Sequence, residues 1–174
     1  VVFSTEESEP SDILELVRDS WRDIGIKIFL KPMQRDVLRN RIFSGLVKMS
    51  MWFGLENGIP SPDSSPRELA PTSQQQLQWP KWGQYVDTRG RAGEAVDMPQ
   101  AKRLSALNKR WAEAPTRQYR KRIWTEMLDI YTKQLFSIGI ISSVPQVVVA
   151  SKKLRNVPKT AIYNWDPGAH FGVY

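Results

Sequence analysis

The chain lacks cysteine altogether. That excludes disulfides, cysteine–zinc sites and a thiol nucleophile. Histidine occurs once, at His170. A Ser-His-Asp triad or a multi-histidine metal site would have to be built around that single residue. His170 stands four residues after Asp166 in a tail containing glycine and proline, and we read it as structural. Long apolar runs are missing too. None reaches the roughly 18–20 residues with which a helix crosses a bilayer. A phosphate-cradling loop is also absent, because Gly90-Arg91-Ala92-Gly93 does not stand between a strand and a helix. Asp87, Glu94 and Asp97 are close in sequence, but nothing in their spacing fixes a catalytic pair. The chain opens Val1-Val2-Phe3-Ser4-Thr5, without a starting methionine or a basic leader, and we expect the natural N-terminus to lie upstream. We expect no catalysis, no metal and no cofactor.

What is present is a globular composition. Of the 174 residues, 41% are hydrophobic and 25% charged. The net charge of +7 is unevenly spread. Residues 1–100 hold 12 Lys/Arg against 14 Asp/Glu, whereas residues 101–160 hold 13 against 3. Such a basic stretch suits a solvated helix face, a nucleic acid or an anionic membrane surface. Its aromatics are not interleaved with the basic residues on a sheet face, which counts against a single-strand-binding platform.

The order of elements can be read along the chain. Val1–Thr5 suggests a buried strand. Ser11 is a good N-cap for a helix from Asp12, with Leu14, Val17, Trp21 and Ile24 at helical spacing and Gly25 as its stop. Ile26, Ile28 and Leu30 alternate with Lys27, Phe29 and Lys31 as in a second strand. A second helix is predicted over Arg35–Ser44, with Val37, Leu38 and Ile42 inward and Gly45 ending it. Val47, Met49, Met51 and Phe53 alternate as a third strand. Residues 1–53 thus form a βαβαβ unit, which argues for an α/β layer structure with parallel strands. Residues 54–98 hold Pro60, Pro62, Pro66, Pro71 and Pro80 and keep no period, so they predict a long irregular excursion, ordered by Trp79, Trp82 and Tyr85. Residues 99–135 predict a helix pair. Pro99 opens the first helix, Leu104, Leu107 and Trp111 form its stripe, and Pro115 restarts the chain into the second. Residues 136–174 hold two predicted buried strands, Phe136–Ser142 and Gln146–Ala150, and a loop-like aromatic tail. The fold expected is a mixed α/β lobe with a central sheet of about four or five strands, helices on its faces and the excursion over one edge.

Seven tryptophans are many for this length. Trp21, Trp111 and Trp124 sit on helical stripes and read as core. Trp52 lies at the C-terminal end of the third predicted strand, the edge at which open α/β sheets bind ligands. Glu56 and Asn57 follow it, and Trp79, Trp82, Gln84 and Tyr85 lie in the excursion. Aromatic walls with a few polar groups are how small-molecule clefts are commonly built, so these seven are the candidate ligand-binding residues. Pinning the excursion to the domain is the competing role for the aromatic ones.

Several segments resemble the C-terminal lobe of extracytoplasmic solute-binding proteins of ABC importers, in family 5, the oligopeptide/dipeptide/nickel-binding type. They are the opening strand, Trp21-Arg-Asp-Ile-Gly-Ile-Lys-Ile28, Met51-Trp52-Phe53-Gly54 and Ile138-Gly-Ile-Ile-Ser-Ser-Val-Pro145. Glu56-Asn57-Gly58, Gln78-Trp-Pro-Lys-Trp-Gly-Gln-Tyr85, Leu154-Arg-Asn-Val-Pro158 and Tyr163-Asn-Trp-Asp-Pro-Gly-Ala169 are similar to a subgroup of larger members from alphaproteobacterial importers. The resemblance implies a periplasmic-binding-protein-like (type II) lobe, periplasmic, that closes with an N-terminal lobe of the same parent protein on a peptide or other small solute and delivers it to an ABC permease. It implies no nucleic-acid partner. Members that bind oligopeptides place an aspartate three residues after the third-strand tryptophan to meet the ligand's amino terminus. Leu55 stands there in this chain, with Glu56 one residue later as a substitute, so an opine, a sugar conjugate or another amphiphile is the alternative to a peptide. Members are about three times longer, so residues 1–174 read as one lobe. Half a cleft should bind solute weakly, and micromolar binding to the isolated chain would count against this expectation. The alternative from the residues alone is a basic nucleic-acid-binding domain, whose affinity would collapse as salt rises.

Overall fold

The computed structural model describes residues 1–6, 9–52, 61–141, 147, 149–157 and 159–160. The first elements are β1 (Val2–Glu6), α1 (Glu9–Asp23), β2 (Phe29–Met33) and α2 (Arg35–Phe43). They are followed by α3 (Pro80–Asp87), α4 (Pro99–Ala112) and α5 (Arg117–Gln134), with short 3-10 turns at Arg67–Leu69 and Gln74–Gln76. The fold is mixed α/β. It divides into two compact units, Val1–Phe53 with Ala70–Ala106, and Gly54–Leu69 with Leu107–Tyr174.

In the first unit β1 and β2 pair in parallel, with Val2 opposite Phe29 and Glu6 opposite Met33. The parallel pairing follows from the helical crossover α1 between them. Side chains alternate across the sheet, so each helix finds an apolar face. On one face, Phe3, Leu14 and Ile28 form a core to which Val17, Trp21, Ile26, Leu30, Met49 and Met51 add. The Phe3 and Trp21 rings meet edge to face at 5.8 Å. On the other face, Met33, Leu38, Ile42 and Leu77 form a second core, with Phe43, Val47 and Trp52 packed on it. Both crossover helices stop where glycine was expected to stop them. Gly25 (φ +81°) and Gly45 (φ +74°) take left-handed conformations that side chains resist. Ile26 N–H donates to Trp21 O and Gly25 N–H to Arg22 O, and Leu46 and Gly45 repeat the pattern on Arg41 and Ile42. These are Schellman closures, and Ile26 meeting Trp21 in one core supplies the apolar contact that accompanies them.

Several expectations are corrected. α1 begins at Glu9, so Ser11 lies inside its first turn and is not the cap. Pro10 is accommodated because a first-turn residue has no intrahelical acceptor for its N–H. Val37 is 49% exposed, and α2 buries only Leu38 and Ile42. The third strand is reduced, among the described residues, to one parallel bridge between Ser4 and Ser50, with Ser4 N–H on Met49 O at 3.0 Å. Phe53 lies outside the described residues. The sheet described therefore has two strands rather than four or five. Nothing described pairs with the outer edge of β2, which tolerates Pro32 for that reason. Residues 136–141, 147, 149 and 150 form no strand and are exposed apart from Phe136; residues 142–146 and 148 lie outside the described set. The irregular excursion contains a helix, α3. Gly83 lets that helix lie on the turn before it, since a Cβ there would stand 2.2 Å from the Ser73 carbonyl carbon.

In the second unit α5 buries Ile123, Trp124 and Met127, and Thr116 caps its start by accepting from Tyr119 N–H. The indole N–H groups of Trp111 and Trp124 donate to the carbonyls of Pro62 (2.8 Å) and Ser64 (3.0 Å). These two tryptophans therefore pin the proline-rich segment as well as filling space. Trp124 is buried as expected, while Trp21 and Trp111 are only half-buried.

Candidate functional site

The parallel register defines a carboxyl edge of the sheet in the first unit. β1 ends at Glu6 and β2 at Met33, directly opposite each other. Ser50 bridges Ser4 in parallel, and Trp52 follows it by two residues. Arg35 follows Met33 by two residues and opens α2. Trp52 and Arg35 thus meet at the edge where the ends of parallel strands leave room for a ligand. The Arg35 guanidinium lies over the Trp52 ring, 5.5 Å from its centroid. Trp52 is half-buried against the core of Met33, Leu38, Ile42 and Leu77. One turn along α2, Arg39 lies over Phe43 at 5.5 Å and donates to Gln75 Oε1 at 2.6 Å.

Trp79 and Trp82 are brought together, with ring centroids 5.7 Å apart and planes tilted by 39°. Both are half-buried. The chain reaches this arrangement through an unusual backbone. Leu77 (φ 62°) and Trp79 (φ 56°) are left-handed without being glycine, and Trp79 is the N-cap before Pro80. Such residues cost free energy, of order 1–3 kcal/mol each, unless the surroundings hold them. Leu77 is held in the core on which Trp52 packs, which ties this segment to the Trp52 side of the sheet.

Gln84 and Tyr85 have local roles. The Gln84 carbonyl accepts from Thr88 N–H (3.0 Å) and Thr88 Oγ1 (2.8 Å). The Tyr85 ring lies against Gly90, where a Cβ would come within 3.2 Å of it. Glu56 and Asn57 lie outside the described residues, as do Asp166 and His170. Asp87 accepts from Ser73 Oγ (3.1 Å) and Gln74 N–H (2.9 Å), which makes it a cap for the turn at Gln74–Gln76. Among the described residues no three acidic, cysteine or histidine side chains are grouped to hold a metal ion. No helix among them is long and apolar enough to cross a membrane.

Four basic residues of the second unit are engaged locally. Arg117 Nε meets Asp63 Oδ2 at 2.7 Å, and Arg120 Nη1 meets Asp63 Oδ1 at 3.6 Å. Arg120 also lies over the Trp111 ring. Arg110 donates to Tyr119 Oη at 2.6 Å, and that hydrogen bond raises the guanidinium above its ordinary value. Lys133 pairs with Asp129 one turn away. A surface depression along α5, lined by Gln118, Lys121, Arg122, Thr125, Glu126 and Asp129, mixes both signs of charge and includes none of the candidate residues.

Sequence reasoning picked out Trp52 but missed Arg35. The available signal was an arginine two residues past the strand end, at the start of a helix whose partner edge was already under suspicion. The charge pattern also carried it. Residues 1–30 hold seven acidic and three basic side chains, while residues 31–52 hold one and five.

No protein-family model and no curated protein sequence matches the chain. A solved structure does. The oligopeptide-binding protein OppA aligns with 78% of this chain at a TM-score of 0.59 and 22% identity. The match spans 23% of the OppA chain. At that identity the likeness establishes the fold: the chain is built like a portion of that protein.

Proposed function

We propose that this chain is part of the solute-binding component of an ABC importer, of the family 5 type. It forms most of one lobe, the C-terminal one, of a two-lobe periplasmic protein. That protein captures a peptide-like or other small solute between its lobes and delivers it to the membrane permease, with no catalytic step. The observation that carries the reading is the likeness in fold to a portion of an oligopeptide-binding protein. The position of Trp52 at the carboxyl edge of the sheet adds to it, because that edge is where such layer structures hold ligands. Trp52, Trp79 and Trp82 would wall the solute on this side, with Glu56, Asn57, Gln84 and Tyr85 as polar or amphipathic lining. The competing reading, a nucleic-acid-binding domain, is weakened by the pairing of Arg117 and Arg120 with Asp63.

Native mass spectrometry of the intact parent protein, taken gently from the cell that makes it, tests the reading. A single retained small molecule is the expected result, and its mass reports the solute class. Co-purifying nucleic acid that salt strips away would replace this reading with the competing one.

A further inference from the structure

Beyond α5 the chain enters a run unlike any other in the sequence. Residues 134–151, between Lys133 and Lys152, carry no charged side chain, and no other stretch is as long without one. The run is rooted at the end of α5. There Leu135 closes the helix in a left-handed conformation, and the Phe136 ring meets Tyr131 edge to face at 5.4 Å. From that root its aliphatic side chains stand in solvent. Ile138, Ile140 and Ile141 are exposed, and Val147 and Val149 are 94% exposed. Residues 137–141 make no backbone hydrogen bond to a described residue. An apolar strand left open to water is a template for aggregation, and proteins guard such edges with lysine, proline or a bulge. The open edge of β2 is guarded in that way, by Lys31 and Pro32. The 134–151 run has no charge to guard it. Its one proline, Pro145, falls between the two segments whose composition predicts strands. Strand pairing would cover such a run best, since it satisfies the backbone N–H and C=O groups as it buries the side chains.

The occupant follows from how much chain lies elsewhere. The matched fold is 23% of the OppA chain, so most of a protein of that kind lies outside such a portion. A segment of the same polypeptide meets the run at a high effective concentration, whereas a second copy must find it from solution. We propose that residues 136–150 are the surface through which this lobe joins the remainder of its parent protein, by pairing as strands with a segment of that remainder. The inference rests on the reading above that the chain is one lobe of a longer protein, and it deepens that reading by naming where the lobe is joined.

The test compares amide hydrogen exchange in the intact parent protein and in the 174-residue chain, each at two concentrations. The amides of residues 138–141, 147 and 149 should exchange at least about a hundredfold more slowly in the parent than in the isolated chain. Val149→Asp gives a second readout. In the isolated chain, where Val149 is exposed, it should leave the thermal midpoint within about 1 °C. In the parent it should lower the midpoint by several degrees, because pairing buries the carboxylate. If the parent carrying it does not fold, the exchange comparison on the unaltered chains decides. Equally fast exchange in parent and chain, or a Val149→Asp parent as stable as the original, overturns the inference. Protection that appears in the isolated chain and grows with its concentration makes a second copy the occupant, and overturns it too. A parent that retains solute while these amides exchange fast sinks this inference and leaves solute binding standing. A parent that retains no solute while they are protected sinks the solute-binding reading and leaves the joining surface.

Discussion

Residues 26–33 and residues 136–150 are both rich in β-branched and aliphatic side chains that favour strands. In the first stretch Ile28 is 4% exposed and Met33 8%, and the backbone pairs with β1. In the second, Ile138 is 59% exposed, Ile141 51%, and Val147 and Val149 each 94%. Side-chain preference for a pleated surface is similar in the two. What differs is a partner. β2 finds β1 through one helical crossover, and α1 then covers the resulting face. The later stretch has no strand beside it among the described residues, and a strand without a neighbour has no ladder to form. Strand propensity in this chain is a statement about fit to a neighbour. The helices behave otherwise, since α5 makes its hydrogen bonds within itself and needs only its cap and one apolar stripe.

Several measurements would break or sharpen this contrast. The largest effect is expected where partners are most numerous. Leu14 is fully buried between α1 and the sheet. Leu14→Ala should cost about 3 kcal/mol of unfolding free energy, read as a lowered denaturant midpoint at unchanged slope. A loss below about 1 kcal/mol would mean that the β1–β2 face is not a real core. A middle effect is expected at Thr116, whose side chain accepts from Tyr119 N–H. Thr116→Ala should cost about 1 kcal/mol, and Thr116→Asp should restore most of it if capping is the reason. The smallest effect belongs to the unpaired stretch. Val149→Ala should change stability by less than about 0.5 kcal/mol. Amide hydrogen exchange would read the same contrast without substitution. The amides of residues 29–33 that pair with β1 should be protected, and those of residues 138–141 should exchange near the rate of an unfolded chain. Protection in the later stretch would reveal a partner and remove the contrast.

Much of the first unit was legible because its signals are local. The βα alternation, the helical stripe through Leu14 and the stop at Gly25 each depend on a few neighbouring residues. Boundaries slipped where local rules conflicted: Ser11 is a good cap, but Pro10 fits a first turn equally well, and the helix starts before both. The α3 helix was hidden by prolines and by its shortness, and it forms because Gly83 permits contact with Ser73. In the candidate site, Trp52 could be placed from the edge rule alone. The Trp79–Trp82 pair could not, because it needs left-handed backbone at Leu77 and Trp79, which neither residue type announces. Trp111 and Trp124 were read as space-filling, yet their N–H groups carry the segment from Pro62 to Ser64.

By itself, then, the amino-acid order determined the succession of the early strands and helices, the apolar faces and the glycine stops. Each follows from hydrogen bonds and φ preferences within one turn or one strand. Only the tertiary structure decided that, among the described residues, the third strand would shrink to a bridge and the later apolar stretch would form no strand pair. It also decided that Arg35 would lie on Trp52, and that Asp63 would draw Arg117 and Arg120. Those outcomes depend on which groups, separated by 17 to 57 residues in the sequence, arrive at the same place. Periodicity carries no information about that meeting, because it reports the face a residue turns inward and not the partner that covers it.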